Sequence, residues 1–218
     1  MNTETLDQPI VADVAVSAPA VVIESAAPAV AAVAEGPNPF IALGLDSALV
    51  RAVSDLGYTQ PTEVQAKVIP LAMGSGKADE ASIDLMVSSQ TGSGKTAAFL
   101  LPVLNTLIAQ KAIEAAAEQA EFERQRAQAA ASGEAAPKRA KRKNPMQSRN
   151  FKAAVPGALV LCPTRELAQQ VAQDAIELVK HCKNLRVANV VGGMPYQLQI
   201  AKLQNADLVV ATPGRLLD

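Results

Sequence analysis

The stretch MGSGKADEASIDLMVSSQTGSGKT, residues 73–96, decides the fold, and it contains GSGK twice, at 74–77 and 92–95. A phosphate loop follows a buried strand and opens a helix. Its backbone N–H groups and the positive end of the helix dipole face the anion. A Lys then reaches the β- and γ-phosphates, and a Ser or Thr directly after it offers a hydroxyl to Mg²⁺. The first copy fails, because Ala78 follows Lys77 and the preceding VQAKVIPLAM reads as a short helix that stops at Gly74. Gly-Ser-Gly there is a helix stop and turn. The second copy passes. IDLMVS (83–88) suits a strand buried on both faces, and Gly92 and Gly94 permit a tight curl. Lys95 and Thr96 supply ammonium and hydroxyl, and AAFLLPVLNTLIA continues as an apolar helix that Pro102 is expected to kink or interrupt. The plain pattern asks for Gly at 89, where this chain has Ser89.

The remaining chain alternates. Helical patterns near 46–56 and 62–72 precede strand-like runs at 84–88, 158–162, 186–191 and 207–211, with helices expected at 94–108, 165–181 and 196–204. Leu167, Val171, Ala175 and Leu178 share one face of the helix at 165–181. Such alternation argues an α/β fold with a parallel sheet and ligands at the carboxyl ends of its strands. TGSGKT, PTRE, GG and TPGR each follow one of the four strands, at the end where ligands bind.

Composition bounds the partners. The 218 residues carry a net charge of −1 and are 49% hydrophobic, enough for one sizeable domain. Residues 1–36 hold Glu4, Asp7, Asp13, Glu24 and Glu35 and no Lys or Arg, so the remainder has a cationic excess. This Ala/Val/Pro-rich opening reads as a disordered acidic tail, and it lacks the basic start and unbroken apolar core of a signal peptide. No apolar stretch of membrane length lacks a charge or Pro, so no membrane partner is expected. Cys162 and Cys182 are too few for a disulfide framework and fit a reducing, cytoplasmic setting. His181, near a helix end, reads as structural. Residues 109–150 begin as a helix-prone run and end in PKRAKRKNPMQSRN, with seven cations and no acid from Lys138 to Lys152. Two readings stand: a solvated insertion, or an electrostatic arm that gathers nucleic acid without reading sequence.

Taken together, Phe40, GYTQPTEVQ (57–65), SQTGSGKT (89–96), PTRELAQQ (163–170), GG (192–193) and TPGR (212–215) resemble the first RecA-like domain of DEAD-box ATP-dependent RNA helicases. The resemblance runs from about residue 39 to the end, with a Q motif at 38–66 and the insertion at 109–150 inside a domain spanning 37–218. It implies a P-loop parallel sheet flanked by helices, with ATP and Mg²⁺ as cofactors and RNA as partner. Phe40 would stack on adenine and Gln65 would hydrogen-bond its edge, with Tyr58 alongside. Ser89, Gln90, Thr91, Gly92, Ser93, Gly94, Lys95 and Thr96 would hold the phosphates, Thr96 would also reach the metal, and Lys95 and Thr96 would serve catalysis. The family's loop usually begins with Ala, so Ser89 is a small departure.

Thr164, Arg165, Gly192, Gly193, Thr212, Gly214 and Arg215 resemble the elements that grip the RNA backbone, without reading bases. Each also has a plain structural use, Thr164 as a helix cap and the glycines as turns. The resemblance places the acidic tetrapeptide, the Ser-Ala-Thr motif and the second domain beyond Asp218, so these residues read as the front part of a helicase, inactive alone. DEAS at 79–82 is no substitute, since it precedes the phosphate loop and lacks the fourth acid. The alternatives are a non-catalytic ATP- and RNA-binding module and a DNA-directed helicase-like ATPase. GYTQPTEVQ argues against the latter.

Overall fold

A computed structural model describes residues 21–25, 38–74, 84–132 and 155–218. Its elements follow the expected alternation. A 3-10 turn at Pro39–Leu43 leads into α1 (Ser47–Asp55) and α2 (Glu63–Met73). Then come β2 (Leu85–Ser89), α3 (Lys95–Ser132), β3 (Ala158–Leu161), α4 (Arg165–Leu178), β4 (Val187–Val190), α5 (Tyr196–Leu203), β5 (Leu208–Ala211) and α6 (Pro213–Leu217).

The strand β1 (Val21–Ser25) precedes them all and lies within the stretch expected as an acidic tail. It pairs parallel to β2, Val21 opposite Leu85 and Ser25 opposite Ser89. Val21, Val22 and Ile23 are β-branched and apolar, and the edge of β2 offers the segment a ladder of hydrogen bonds. Those five residues of the acidic tail are therefore strand; the rest of 1–36 lies outside the described residues, as do DEAS, Lys77 and the basic run 138–152.

The second sheet has the order β3-β5-β4, all parallel. Its central strand β5 is covered on both faces, which is why LVVA (208–211) is uninterruptedly apolar. Leu208 and Val210 pack in the main core with Leu100, Leu104, Val171 and Ala175, while Val209 and Ala211 join Ala188, Val190 and Leu203 on the α5 side. β2 and β3 instead alternate, and Met86, Leu159 and Leu161 lie exposed, so the expectation that 83–88 is buried on both faces does not hold.

One helix far exceeds its expected extent. Pro102 neither stops nor divides α3, which runs 38 residues and absorbs the start of the 109–150 insertion. Its first turns supply Leu100, Leu101, Leu104 and Leu107 to the core, which accounts for an apolarity that by length and composition alone would suit a membrane span. Lys111 on α3 pairs with Asp207 at 2.9 Å, and the other carboxylate oxygen of Asp207 accepts from the Arg186 N–H at 2.9 Å. One side chain thus ties α3 to the starts of β4 and β5. On α4, Val171, Ala175 and Leu178 are buried as expected, but Leu167 is largely exposed. His181 Nε2 lies 2.7 Å from Asp55, joining the end of α1 to the residues just after α4.

Candidate nucleotide and nucleic-acid sites

The phosphate loop forms where the second GSGK lies. Gly92 and Gly94 adopt φ of 83° and 84°, values that glycine reaches without strain, and α3 starts at Lys95. The loop is braced by α2. Thr62 caps α2 through a reciprocal capping box with Gln65: the Gln65 N–H donates to Thr62 Oγ1 (3.3 Å) and the Thr62 N–H to Gln65 Oε1 (3.0 Å). From this cap, Thr62 Oγ1 donates to the Ser93 carbonyl (2.8 Å) and Gln65 Nε2 to that of Gly94 (3.2 Å). A Cβ at Gly94, whose φ already disfavours a side chain, would stand 2.5 Å from Gln65 Nε2 and would displace the Gln65 amide from its bond to the loop. The ammonium of Lys95 donates to the carbonyls of Ser89 and Gln90, the latter at 2.5 Å. The hydroxyls of Ser89 and Ser93 are buried without a protein partner. Positive-φ glycines, an ammonium folded onto loop carbonyls and unpartnered hydroxyls together fit a bound phosphate.

From the loop a cavity of about 400 Å³ extends toward α4. Thr91, Gly92, Gly94, Lys95 and Thr96 line one part, and Leu56, Tyr58, Gln170, Asp174 and Glu177 line another. Burial raises the Asp174 carboxyl, with Glu177 adding to it; burial also raises the Tyr58 hydroxyl, with both acids contributing. Cation and hydroxyl at one end and carboxylates at the other suit an anionic group joined to an uncharged, hydrogen-bonding body.

The two residues expected at adenine, Phe40 and Gln65, are both buried. Phe40 is fully buried among Leu45, Leu49, Val53 and Ile69, so its ring cannot stack on a base without leaving the core. Its neighbour in the motif, Tyr58, is 40% exposed and faces the cavity. Gln65 is 3% exposed, and its oxygen and nitrogen are already bonded to Thr62 and Gly94, so it braces the loop rather than presenting a free edge to adenine.

The other motifs gather at the carboxyl ends of β3, β5 and β4, adjacent in that order. Thr164 caps α4, accepting from the Leu167 N–H at 3.3 Å. Thr212 starts α6 without a side-chain cap bond. A Cβ at Gly193, whose φ is 85°, would lie 3.1 Å from Arg165 Nη1, so the second glycine leaves room for that guanidinium. Gly214 faces open space. Arg215 differs from Arg165, because its Nη2 donates to the Met194 carbonyl at 2.6 Å and its guanidinium carbon stands 3.6 Å over the Tyr196 ring.

The sequence profile of the DEAD/DEAH box helicase family matches residues 62–218. The chain belongs to this family. Over 180 residues it is 41% identical to DEAD-box ATP-dependent RNA helicase 52A of Oryza sativa subsp. japonica, covering 82% of this chain and 24% of that protein. It is 35% identical over 186 residues to ATP-dependent RNA helicase DeaD of Escherichia coli K12, covering 85% and 22%. Among solved structures it resembles a DEAD box protein from the hyperthermophile Methanococcus jannaschii, with a TM-score of 0.54, 32% identity and coverage of 82% and 36%. It also resembles a Saccharomyces cerevisiae Dbp5 variant bound to RNA and ADP BeF3, with a TM-score of 0.53, 26% identity and coverage of 84% and 34%. The chain spans about a quarter of the length of these curated relatives and about a third of these solved chains.

In this RecA-like DEAD/DEAH box helicase chain the glycine loop follows β2 of the two-stranded parallel sheet, and PTRE, TPGR and GG follow the strands of the three-stranded one, each at a carboxyl end. Sequence reasoning missed Gln170, Asp174 and Glu177 as cavity residues. Their signal was polar positions recurring at i, i+4 and i+7 along α4, a spacing that puts them on one helical face. Gln199, 3% exposed and hydrogen-bonded around the double-glycine loop, was also missed, since a lone Gln in a short helix carries no signal.

Proposed function

We propose that the chain is the nucleotide-binding front of an ATP-dependent RNA helicase, and that ATP occupies the cavity running from Lys95 to Tyr58. That continuity between phosphate loop and aromatic side chain is the observation supporting the reading most directly. The residues present fit the nucleotide. Lys95 exchanges its two loop carbonyls for the β- and γ-phosphates, the amides of Gly92 through Thr96 face the anion, and Ser93 gains a partner for its buried hydroxyl. Tyr58 supplies the stacking surface. Thr96 would hold Mg²⁺, which when bound neutralises charge on the transferring phosphoryl group.

RNA would lie across the ends of β3, β5 and β4. Arg165 would pair with phosphate, Thr164 and Thr212 would offer hydroxyls, and Gly192, Gly193 and Gly214 would expose backbone N–H groups. These contacts position a strand without reading its bases. The reading is supported by the RNA and ADP BeF3 bound to the related yeast protein. Two free thiols, Cys162 buried and Cys182 pushed up to about 11 by burial and Asp46, suit a reducing cytoplasm.

For these 218 residues alone, a second reading applies to turnover: they bind nucleotide without hydrolysing it. Phosphoryl transfer needs a metal held from both sides, an oriented water and a cation on the developing charge. Among the described residues no group of three metal-ligating side chains gathers near Thr96 or elsewhere. The experiment pairs nucleotide binding with phosphate release, both with and without single-stranded RNA. Lys95→Ala is expected to abolish binding of a fluorescent ATP analogue, while Lys77→Ala leaves it nearly intact, and neither protein releases phosphate. Equal losses in the two variants would remove the site assignment. RNA-stimulated phosphate release that disappears in Lys95→Ala would show that the 218 residues are catalytically self-sufficient.

A further inference from the structure

The guanidinium of Arg215 is already engaged. Nη2 donates to the Met194 carbonyl at 2.6 Å, Nε to Gln199 Oε1 at 3.4 Å and Nη1 to Asp218 Oδ2 at 3.3 Å. The cation stacks 3.6 Å from the centroid of Tyr196, whose hydroxyl donates to the same Asp218 oxygen at 3.0 Å. Only 12% of the Arg215 side chain is exposed. Gln199 works on the same loop from the other side. Its Nε2 donates to the carbonyls of Val191 (2.9 Å) and Met194 (3.2 Å), which flank Gly192 and Gly193 in the chain. Arg165 has the opposite character: it is exposed, lies against Gly193, and makes no hydrogen bond or ion pair among the described residues.

A phosphate approaching Arg215 would meet a side chain whose three kinds of nitrogen all have partners and whose face covers a ring. Without that side chain, the loop bearing the double glycine would lose the cation at Met194 and the brace on Gln199. We propose that Arg215 is a positioning residue: with Gln199 it clamps the 191–195 loop so that Gly192 and Gly193 keep their backbone N–H groups in place, while Arg165 is the arginine that meets the RNA phosphate. This rests on the RNA reading above. It changes which of the two motif arginines carries charge to the ligand, and adds Gln199 to the functional set.

Salt dependence separates the roles. Each phosphate contact to a single strand contributes about 0.7 to the slope of log K against log salt. A residue that positions others lowers affinity without changing that slope by a whole contact. The measurements are binding of a labelled oligouridine to the 218-residue chain across a salt series, and NMR order parameters of the Gly192 and Gly193 amides without RNA. Arg215→Ala and Gln199→Ala are each expected to drop these order parameters from about 0.85 toward 0.6 and to weaken binding at unchanged slope. Arg165→Ala should lower the slope by about 0.7. Arg215→Lys keeps the charge but not the fork or the stacking, so it should behave like Arg215→Ala.

A slope lower by one contact in Arg215→Ala, or full affinity in Arg215→Lys, would make Arg215 a phosphate ligand and overturn the proposal. So would unchanged order parameters in both Arg215 variants. If the unmodified chain fails to bind oligouridine at low salt, the RNA reading fails, and the order parameters still decide the clamp. Circular dichroism melts show whether each variant folds, and Arg215→Lys serves if Arg215→Ala does not.

Discussion

Phe40 and Tyr58 belong to the same motif and have opposite environments. The ring of Phe40 is enclosed by α1 and α2 residues, so Phe40→Ala leaves a cavity and should cost about 3–5 kcal/mol of stability, measured by urea denaturation. Tyr58 faces the cavity proposed for the nucleotide, so Tyr58→Ala should leave stability nearly unchanged and weaken nucleotide binding by about 1–3 kcal/mol, the range for base–aromatic stacking. Tyr58→Phe should bind like the unaltered chain, because the ring supplies the stacking. A reversal, with Phe40→Ala folding normally and losing nucleotide, would restore Phe40 as the stacking residue. The reason sequence could not separate the two rings is physical. Each is a lone ring in a turn-rich stretch outside the periodic helices, and burial is decided by how α1 and α2 close over the 3-10 turn. Gln65 shows the same limit, since a capping-box glutamine and a ligand-reading glutamine have one identity and one spacing.

At the scale of elements, two side chains tie parts of the chain that are far apart in sequence. Asp55 at the end of α1 meets His181 beyond α4, and the hydrogen bond from that imidazole holds the Asp55 carboxyl below its ordinary range. A carboxyl that is more acidic folded than unfolded adds stability above the ordinary carboxylate range and loses it as pH falls through the folded-state value. Thermal stability should therefore fall on acidification below about pH 4, and His181→Ala should flatten that part of the profile. A profile identical in the two proteins would show that the pair carries no acid dependence.

Asp207 is the second tie. Asp207→Ala strands the Arg186 amide and releases Lys111, and should cost about 1.5–3 kcal/mol in chemical denaturation. Lys111→Ala should cost under about 1 kcal/mol, since that lysine is half in solvent. Equal costs would mean that the ion pair, not the backbone bond, matters. The elements themselves were largely legible: β5 from its unbroken apolar run, α4 from its 3.6-residue period, and the turn between β2 and α3 from Gly92 and Gly94. The β1–β2 pairing was not, because VVIES lies in a segment whose composition is that of a solvated tail and only the partner edge makes it a strand. The length of α3 was obscured by Pro102 and Gly/Ser punctuation farther on, although the Ala, Glu and Gln residues between them are strong helix formers.

At the scale of the whole molecule, α3 sets an outline that the sheets do not. Its 38 residues extend about 57 Å at 1.5 Å per residue, whereas a compact domain of this size is about 40 Å across. Among the described residues, α3 is anchored in the core as far as Ile108 and by Lys111 on Asp207, and most residues from Gln110 to Ser132, Ala129 apart, face solvent. The particle is therefore aspherical, and its friction in water exceeds that of a ball of 22.6 kDa. Size-exclusion chromatography should return an apparent mass well above the true one, while sedimentation equilibrium, which is blind to shape, should return the monomer value. Deleting residues 112–150 should bring the two masses together, and a discrepancy that survived the deletion would have to come from self-association instead.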